Sequence, residues 1–315
     1  MKKSYLLIIP ALLLSSCQQG KMFSKTLYYF DTFININNES EQSLKEIDNI
    51  FKKYHQYFDN NQSYEGINNI YTINHSDVPV VLDYELYDAL KTMDDYIGIT
   101  NGYFNPLIGN LSSLWKSRLS EGQILNEEEI NVLLNEMNNS SLIFNDEEKS
   151  ILINGNASLD LGAFAKGYTL YIVNQYMIDN NFNHYLIDAG NSSILLGEKN
   201  NAQKYKVGIK YLNNSYIEIK NSSVGTSGIY EQLFEIDNKI YSHIINPFTG
   251  DAKPNYDFVI VIDEDPTLTD VFSTVLMNLT IDEIKQYEQL FDIQTLVSKN
   301  HQIIYQSSSL EVKTY

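Results

Sequence analysis

The chain of 315 residues has one cysteine, Cys17, and none after it. Beyond position 17 there is therefore no disulfide, no thiolate metal site and no cysteine nucleophile. Long apolar runs are missing too. After Tyr5 to Leu14, no stretch approaches the about eighteen consecutive apolar residues that cross a bilayer as a helix. Positive charge is scarce: 22 Lys and Arg face 40 Asp and Glu, for a formal net charge of -18. The lysines are scattered rather than gathered in a patch, which excludes nucleic acid as a partner. No Pro-, Gly- or Ser-rich linker, low-complexity tract or internal repeat interrupts the chain, so one compact unit is expected.

The first residues follow a processing logic. Lys2 and Lys3 form a basic segment before the apolar run, which is too short to span a membrane and fits a signal peptide. It ends in Leu14-Ser15-Ser16-Cys17, which resembles a lipobox, where the cysteine is acylated and the bond before it is cut. The expected division is a signal peptide over 1–16, a lipidated tether over 17–25 and a folded domain over 26–315. Acylation of Cys17 would hold that domain on the extracytoplasmic side of a bacterial cell membrane, at its periplasmic or outer face. The other reading of Cys17 is a buried cysteine in a core helix.

Periodicity predicts a strand over Tyr28–Ile36 and a helix of about 16 residues ending near Phe58. A second helix carries Leu86, Leu90, Met93 and Ile97 and stops at Asn101-Gly102. A third opens at Asn126 and runs through Met137. Leu142–Phe144 and Ile151–Ile153 read as a hairpin. A helix over Ala163–Met177 follows, then strands at Tyr185–Ile187, Ser193–Leu196, Tyr205–Ile209, Tyr216–Ile219, Gln232–Ile236, Ile240–Ile244 and Phe258–Ile262. Helices over Thr269–Leu279 and Ile284–Phe291, the second preceded by a capping box of Thr280 with Glu283, and strands at Thr295–Ser298 and Ile303–Tyr305 end the pattern. Hairpins with segregated helices predict an α+β fold with mixed, largely antiparallel sheets.

Four clusters gather polar groups, three of them beside glycines. Asp160-Leu161-Gly162-Ala163-Phe164-Ala165-Lys166-Gly167-Tyr168 enters a helix, where free amides and Lys166 could meet a phosphate; it could equally be a plain turn. Leu186 to Ser193 is a strand running into a small turn with an Asx motif. Gly225-Thr226-Ser227-Gly228 is followed by Tyr241 to Gly250, in which His243 precedes an Asn-Pro-Phe-Thr-Gly turn. His243 is either structural or a group for proton transfer. In Thr269-Asp270-Val271-Phe272-Ser273-Thr274, a helix would put Asp270 and Thr274 on one face with Ser273 beside them. Such oxygens suit a hard cation like Mg²⁺, although Asp270 could also serve as a helix cap.

In order and spacing, these clusters resemble the ApbE family of FAD:protein FMN transferases. Asp160 to Tyr168 matches its D-L-G-x-x-A-K-G-Y, and Asp188 to Asn191 is similar to its N-A-G-G. Thr226 to Gly228 matches T-S-G, His243 to Gly250 is similar to H-I-x-P-x-x-G, and Thr269 to Thr274 resembles A-D-x-x-S-T. Phe104 to Leu111 with Trp115 looks like F-D-P-T-x-G-P-L and its tryptophan. The resemblance spans about residues 27 to 300 and implies an ApbE-like, T-fold-related architecture. It further implies that Asp160, Lys166, Tyr57, Asn105 and Ile245 contact FAD, with Tyr57, Phe58, Tyr103 and Phe104 the aromatic residues near its rings. Ala163 (through its carbonyl), Asp270 and Thr274, with Ser273 adjacent, would hold Mg²⁺. His243, with Lys166, would be catalytic. The implied reaction moves the FMN half of FAD onto a threonine of an acceptor protein, a redox subunit or an extracytoplasmic flavoprotein, and releases AMP.

The chain departs from the family pattern at Phe30-Asp31-Thr32, where M-G-T is usual, and at Asn105, Leu107, Tyr171 and Asn191. Three other functions remain open on the sequence: an FAD pyrophosphatase that uses water as acceptor, a non-catalytic flavin-binding lipoprotein, and a structural surface lipoprotein.

Overall fold

The computed structural model describes residues 21–199, 202–212 and 214–315. Cys17 and the signal segment lie outside the described residues. The chain begins with strands β1 (Phe23–Tyr29) and β2 (Thr32–Asn38), helix α1 (Glu41–Phe58), a short α2 (Ile70–Asn74), β3 (Val80–Val81) and α3 (Tyr84–Ile99). Next come α4 (Gly109–Ser120), α5 (Glu127–Asn138), β4 (Ser141–Asn145), β5 (Ser150–Asn154) and α6 (Ala165–Asp179). The second half holds β6 (Tyr185–Ala189), β7 (Ser193–Leu196), β8 (Tyr205–Gly208), β9 (Ser215–Ile219), β10 (Ser222–Gly228), β11 (Leu233–Ile236) and β12 (Lys239–Ser242). It ends with β13 (Phe258–Asp263), α7 (Pro266–Leu276), α8 (Ile281–Phe291), β14 (Gln294–Lys299), β15 (Gln302–Gln306) and β16 (Lys313–Thr314).

Eight of these strands make one antiparallel sheet in the order β1-β2-β6-β7-β10-β13-β14-β15. Helices α1, α6 and α7 cover one face, α7 lying over β10 and β13. Residues of the small β8–β9 sheet pack on the other face, over β7, β10 and β13. The expected α+β fold is thus the observed one. β13 shows why its strand is central: Phe258 to Ile262 are all buried, the pattern of a strand covered on both faces.

Several boundaries move. The strand expected over Tyr28–Ile36 is a hairpin, because Phe30 and Asp31 both take left-handed φ, 54° and 55°, and turn the chain. Tight hairpin turns usually announce themselves with Asn-Gly or Asp-Gly. Here an aromatic residue occupies the first turn position, so the run reads as continuous. β1 also begins at Phe23, within the stretch assigned to the tether. The helix expected at Thr269 starts at Pro266, because Asp265 caps it by accepting from the Thr267 and Leu268 amides and Pro266 suits the first turn. The strand expected to reach Ile244 stops at Ser242.

β10 carried no strand signal, since Ser222-Ser223-Val224-Gly225-Thr226-Ser227-Gly228 is rich in turn formers. Those small residues have a packing reason. A Cβ on Gly225 would run into the backbone carbonyl of Thr269, so α7 sits directly on this strand. Helix α4 was equally silent, because Gly109, Asn110 and four serines are weak helix formers.

Candidate functional site

The large cleft, about 400 Å³, opens where α4, the start of α6, the end of β10, the 243–247 loop and α7 converge. Ser112, Trp115, Lys116 and Leu119 of α4 form one wall, at the spacing of a single helix face. Trp115 fixes that wall: its indole N–H donates to the Gly250 carbonyl at 2.8 Å and its ring stacks on Tyr241. Across the cleft stand Asp160, Gly162, Ala163 and Lys166, and behind them Asp270 and Thr274.

The carboxylate of Asp160 is anchored on both oxygens. It accepts from the Ser112 hydroxyl at 2.5 Å and from the Gly162 amide at 2.8 Å, tying the α6 entry to α4. Lys166, in the first turn of α6, keeps its ammonium 4.0 Å from an Asp270 carboxylate oxygen. Asp270 is buried within α7 and does not cap its own helix, a role Asp265 fills. One of its oxygens accepts from the Ser193 hydroxyl at 2.7 Å and the other from the Gly167 amide at 2.8 Å. That amide lies in the first turn of α6, where no carbonyl of the helix can take it, and Asp270 receives it instead. Ala163, two residues before α6, borders the cleft.

A chain of hydroxyls orients Thr274. Ser273 donates to the Asp270 carbonyl at 2.8 Å, so its single proton is committed. Ser227 lies 2.8 Å from Ser273 and 2.9 Å from Thr274. Ser227 must then donate to Ser273, and Thr274 to Ser227, which leaves the lone pairs of the Thr274 oxygen free at the cleft wall. Ser273 itself is fully buried and supports this chain without lining the cleft. The open donors are thus a carboxylate, a hydroxyl and a carbonyl, all oxygens. That set fits Mg²⁺, which takes a few protein oxygens and completes its shell with water and substrate phosphate.

His243 follows the last residue of β12 and faces the cleft. Its ring is open to the cavity but crowded by the walls. That desolvation, with the Lys166 charge adding and Asp160 opposing, pushes its pKa down to about 4. The imidazole is consequently neutral near pH 7, with a lone pair available. The next residues are pinned by a tight turn, in which the Asn246 side-chain oxygen accepts from the Phe248 and Thr249 amides at 2.9 and 3.2 Å.

Of the remaining expected contacts, Asn105 and Ile245 line the cleft, as do Tyr103 and Phe104. Tyr57 does not. It is buried in the helical core, its hydroxyl donates to Asp83 at 2.8 Å, and its ring meets Tyr54 edge-on. Phe58 is likewise core, packed against Phe164 and Tyr168. The turn after Asp188 is the Asx turn expected, with the Asn191 amide donating to the Asp188 side chain at 2.7 Å. The structure also adds Asp31, Asn60, Asn61, Lys116 and Gln232 to the cleft. Asp31 belongs to the Phe30-Asp31-Thr32 segment that departs from the family's M-G-T, whereas nothing in the local sequence marked the other four, because they reach the cleft from separate loops and one helix face. Among the described residues, no cluster of three or more His, Cys, Asp or Glu could hold a metal, so a cation held here by Asp270 takes its other protein oxygens from hydroxyl and carbonyl groups.

A model of the ApbE family matches residues 27–297. The FAD:protein FMN transferase of Chlamydia muridarum is 27% identical over 251 residues, covering 77% of this chain and 78% of that protein. A Klebsiella pneumoniae protein of the same name is 28% identical over 235 residues, covering 73% and 74%. In three dimensions, the ApbE protein of Thermotoga maritima superposes with a TM-score of 0.76 at 23% identity, covering 93% of this chain and 97% of its own. The flavin transferase ApbE of Vibrio cholerae gives 0.75 at 20% identity, covering 92% and 98%.

Proposed function

The chain belongs to the ApbE family, and on that premise we propose that it transfers the FMN moiety of FAD to a threonine hydroxyl of another protein and releases AMP. The observation that carries this reading is the convergence of Lys166, Asp270, Thr274, the Ala163 carbonyl and neutral His243 on one cleft. The relatives that match most of the chain are named FAD:protein FMN transferases, which supports the FMN transfer.

FAD is a pyrophosphate diester, so its cleavage needs charge neutralised at the phosphates and an attacking oxygen freed of its proton. Lys166 supplies a fixed cation beside the start of α6, where the helix dipole also favours anions. Asp160, locked by Ser112 and Gly162, shapes the floor on which the dinucleotide lies. His243 accepts the proton of the acceptor hydroxyl on its unprotonated ring nitrogen. The hydroxyl oxygen forms a bond to the phosphorus of the FMN half, and the bond from that phosphorus to the AMP oxygen breaks, AMP leaving with the electron pair. Held by Asp270, Thr274 and the Ala163 carbonyl, Mg²⁺ would neutralise charge on the pyrophosphate. Acylation of Cys17 would keep the enzyme on the extracytoplasmic membrane surface, which makes exported flavoproteins its acceptors.

The test is incubation with FAD, Mg²⁺ and a threonine-containing peptide, followed by mass measurement. A peptide heavier by one FMN, with an equal amount of AMP, is expected. Free FMN with every acceptor peptide unmodified would mean that water is the acceptor and that the protein is a pyrophosphatase.

A further inference from the structure

A second space lies on the side of β10 away from α7. Alternate residues of that strand divide the two faces. Ser223, Gly225 and Ser227 meet α7, whereas Val224, Thr226 and Gly228 border this space. It measures about 130 Å³ and sits between the large sheet and the β8–β9 sheet, walled by Ile194, Val207, Ile217, Val224, Phe258 and Ile260. The rings of Tyr211 and Tyr230, 4.1 Å apart at their centroids, stand at its edge. Close-packed interiors leave few voids larger than a water molecule, whose share of the liquid is about 30 Å³. An apolar cavity of about 150 Å³ takes up benzene. This one has the size and lining for a single aliphatic or phenyl side chain.

Its position is what gives it a role. Thr226 lines both this space and the large cleft, and Asn191 lines this one while its neighbour Ser192 lines the cleft. The two spaces thus share Thr226 as a common wall. An extended polypeptide advances about 3.3 Å per residue. A segment that presents a hydroxyl in the cleft therefore brings side chains one to three residues away level with this pocket.

We propose that the pocket between β10 and the β8–β9 sheet receives an apolar side chain of the acceptor polypeptide, close in sequence to the threonine that is modified. The inference rests on the flavin-transfer reading and names the acceptor class for that same site: extended segments with an aliphatic or aromatic residue within three positions of the threonine. The Thr226 wall couples the two, so a filled pocket holds the hydroxyl in register with the phosphorus.

The experiment uses the full chain with FAD, Mg²⁺ and threonine peptides that carry Leu, Phe or Asn at each of the three positions on either side. At one position, Leu or Phe should raise kcat/KM for FMN transfer by roughly tenfold or more over Asn, the discrimination an apolar pocket gives. Val207→Phe, which fills the pocket, should bring that ratio close to one. If Val207→Phe does not fold, Val207→Ala enlarges the pocket instead and should shift the preference from Leu toward Phe. Transfer that ignores the flanking residue overturns the pocket and leaves the transferase standing, as does a preference that survives in Val207→Phe or, where that variant does not fold, is unshifted in Val207→Ala. Release of FMN and AMP with no peptide modified overturns both.

Discussion

The amide of Gly167 donates to the carboxylate of Asp270 at 2.8 Å, across the crossing of α6 and α7. A single contact thereby positions the one carboxylate of the proposed cation site and satisfies an amide in the first turn of α6. The helices can approach this closely only because residue 167 has no side chain: a Cβ there would lie 2.5 Å from both the Asp270 Cβ and the Pro266 carbonyl.

Gly167→Ala should therefore destabilise the protein by about 1–3 kcal/mol, the cost of overpacking a tight contact. Helix propensity alone predicts the opposite sign, a gain of up to about 1 kcal/mol. Thermal melts decide between them: a higher Tm for the variant would show that α7 does not lie where the contact puts it.

Asp270→Asn keeps the size of the side chain and its carbonyl oxygen but removes the charge. Apparent Mg²⁺ affinity should fall by at least the roughly 10–100-fold seen when a supporting group of a metal site is lost, with a smaller effect on melting temperature. Thr274→Val should act in the same direction, more weakly. Titrating Mg²⁺ into turnover assays checks both, and normal activity of Asp270→Asn at limiting Mg²⁺ would remove Asp270 from the ligand set.

His243→Ala should retain FAD binding and lose FMN transfer by roughly a hundredfold or more, the scale of a missing general base. Unchanged transfer would strike out the base and leave the fold and family in place.

The same histidine sets an acid limb. Its folded pKa of about 4 lies below the ordinary 6.5, so between those values the unfolded chain binds more protons than the folded one. Its contribution therefore lowers stability as pH falls from about 6.5 to about 4 and vanishes above that window. His243→Gln should flatten the loss of stability over that range, and wild-type kcat/KM should decline only as pH nears 4. A decline centred near 6.5 would mean that the cleft does not desolvate the ring.

Cys17→Ser should release the protein into the soluble extracytoplasmic fraction with its melting temperature unchanged. Membrane fractionation reads this directly, and a variant that sediments with membranes as firmly as wild type would refute lipidation at Cys17.

Much of the fold was legible because apolar periodicity and caps are local signals. The capping boxes at Asn126 and Thr280 mark α5 and α8 in the structure as they do in the sequence. The Asp160 to Tyr168 and Thr269 to Thr274 motifs likewise reach the cleft with Asp160, Lys166, Asp270 and Thr274. Tyr57 shows the limit of such reading. An aromatic residue near the end of α1 looks available to a flavin, but its face of the helix turns inward and Asp83 takes its hydroxyl.

Residue order alone determined the family, the α+β class and the chemistry of the site's donors, since these depend on which groups occur at which spacing. Only the tertiary structure decided which of those groups meet. The strand nature of β10, the supporting role of Ser273, the capping of the Gly167 amide by Asp270 and the entry of Asp31 and Lys116 into the cleft all arise from contacts between segments far apart in the chain. Ser227 and Ser273 lie 46 positions apart and Gly167 and Asp270 103. No local pattern records such pairs, because packing brings them together only after the helices and strands have formed.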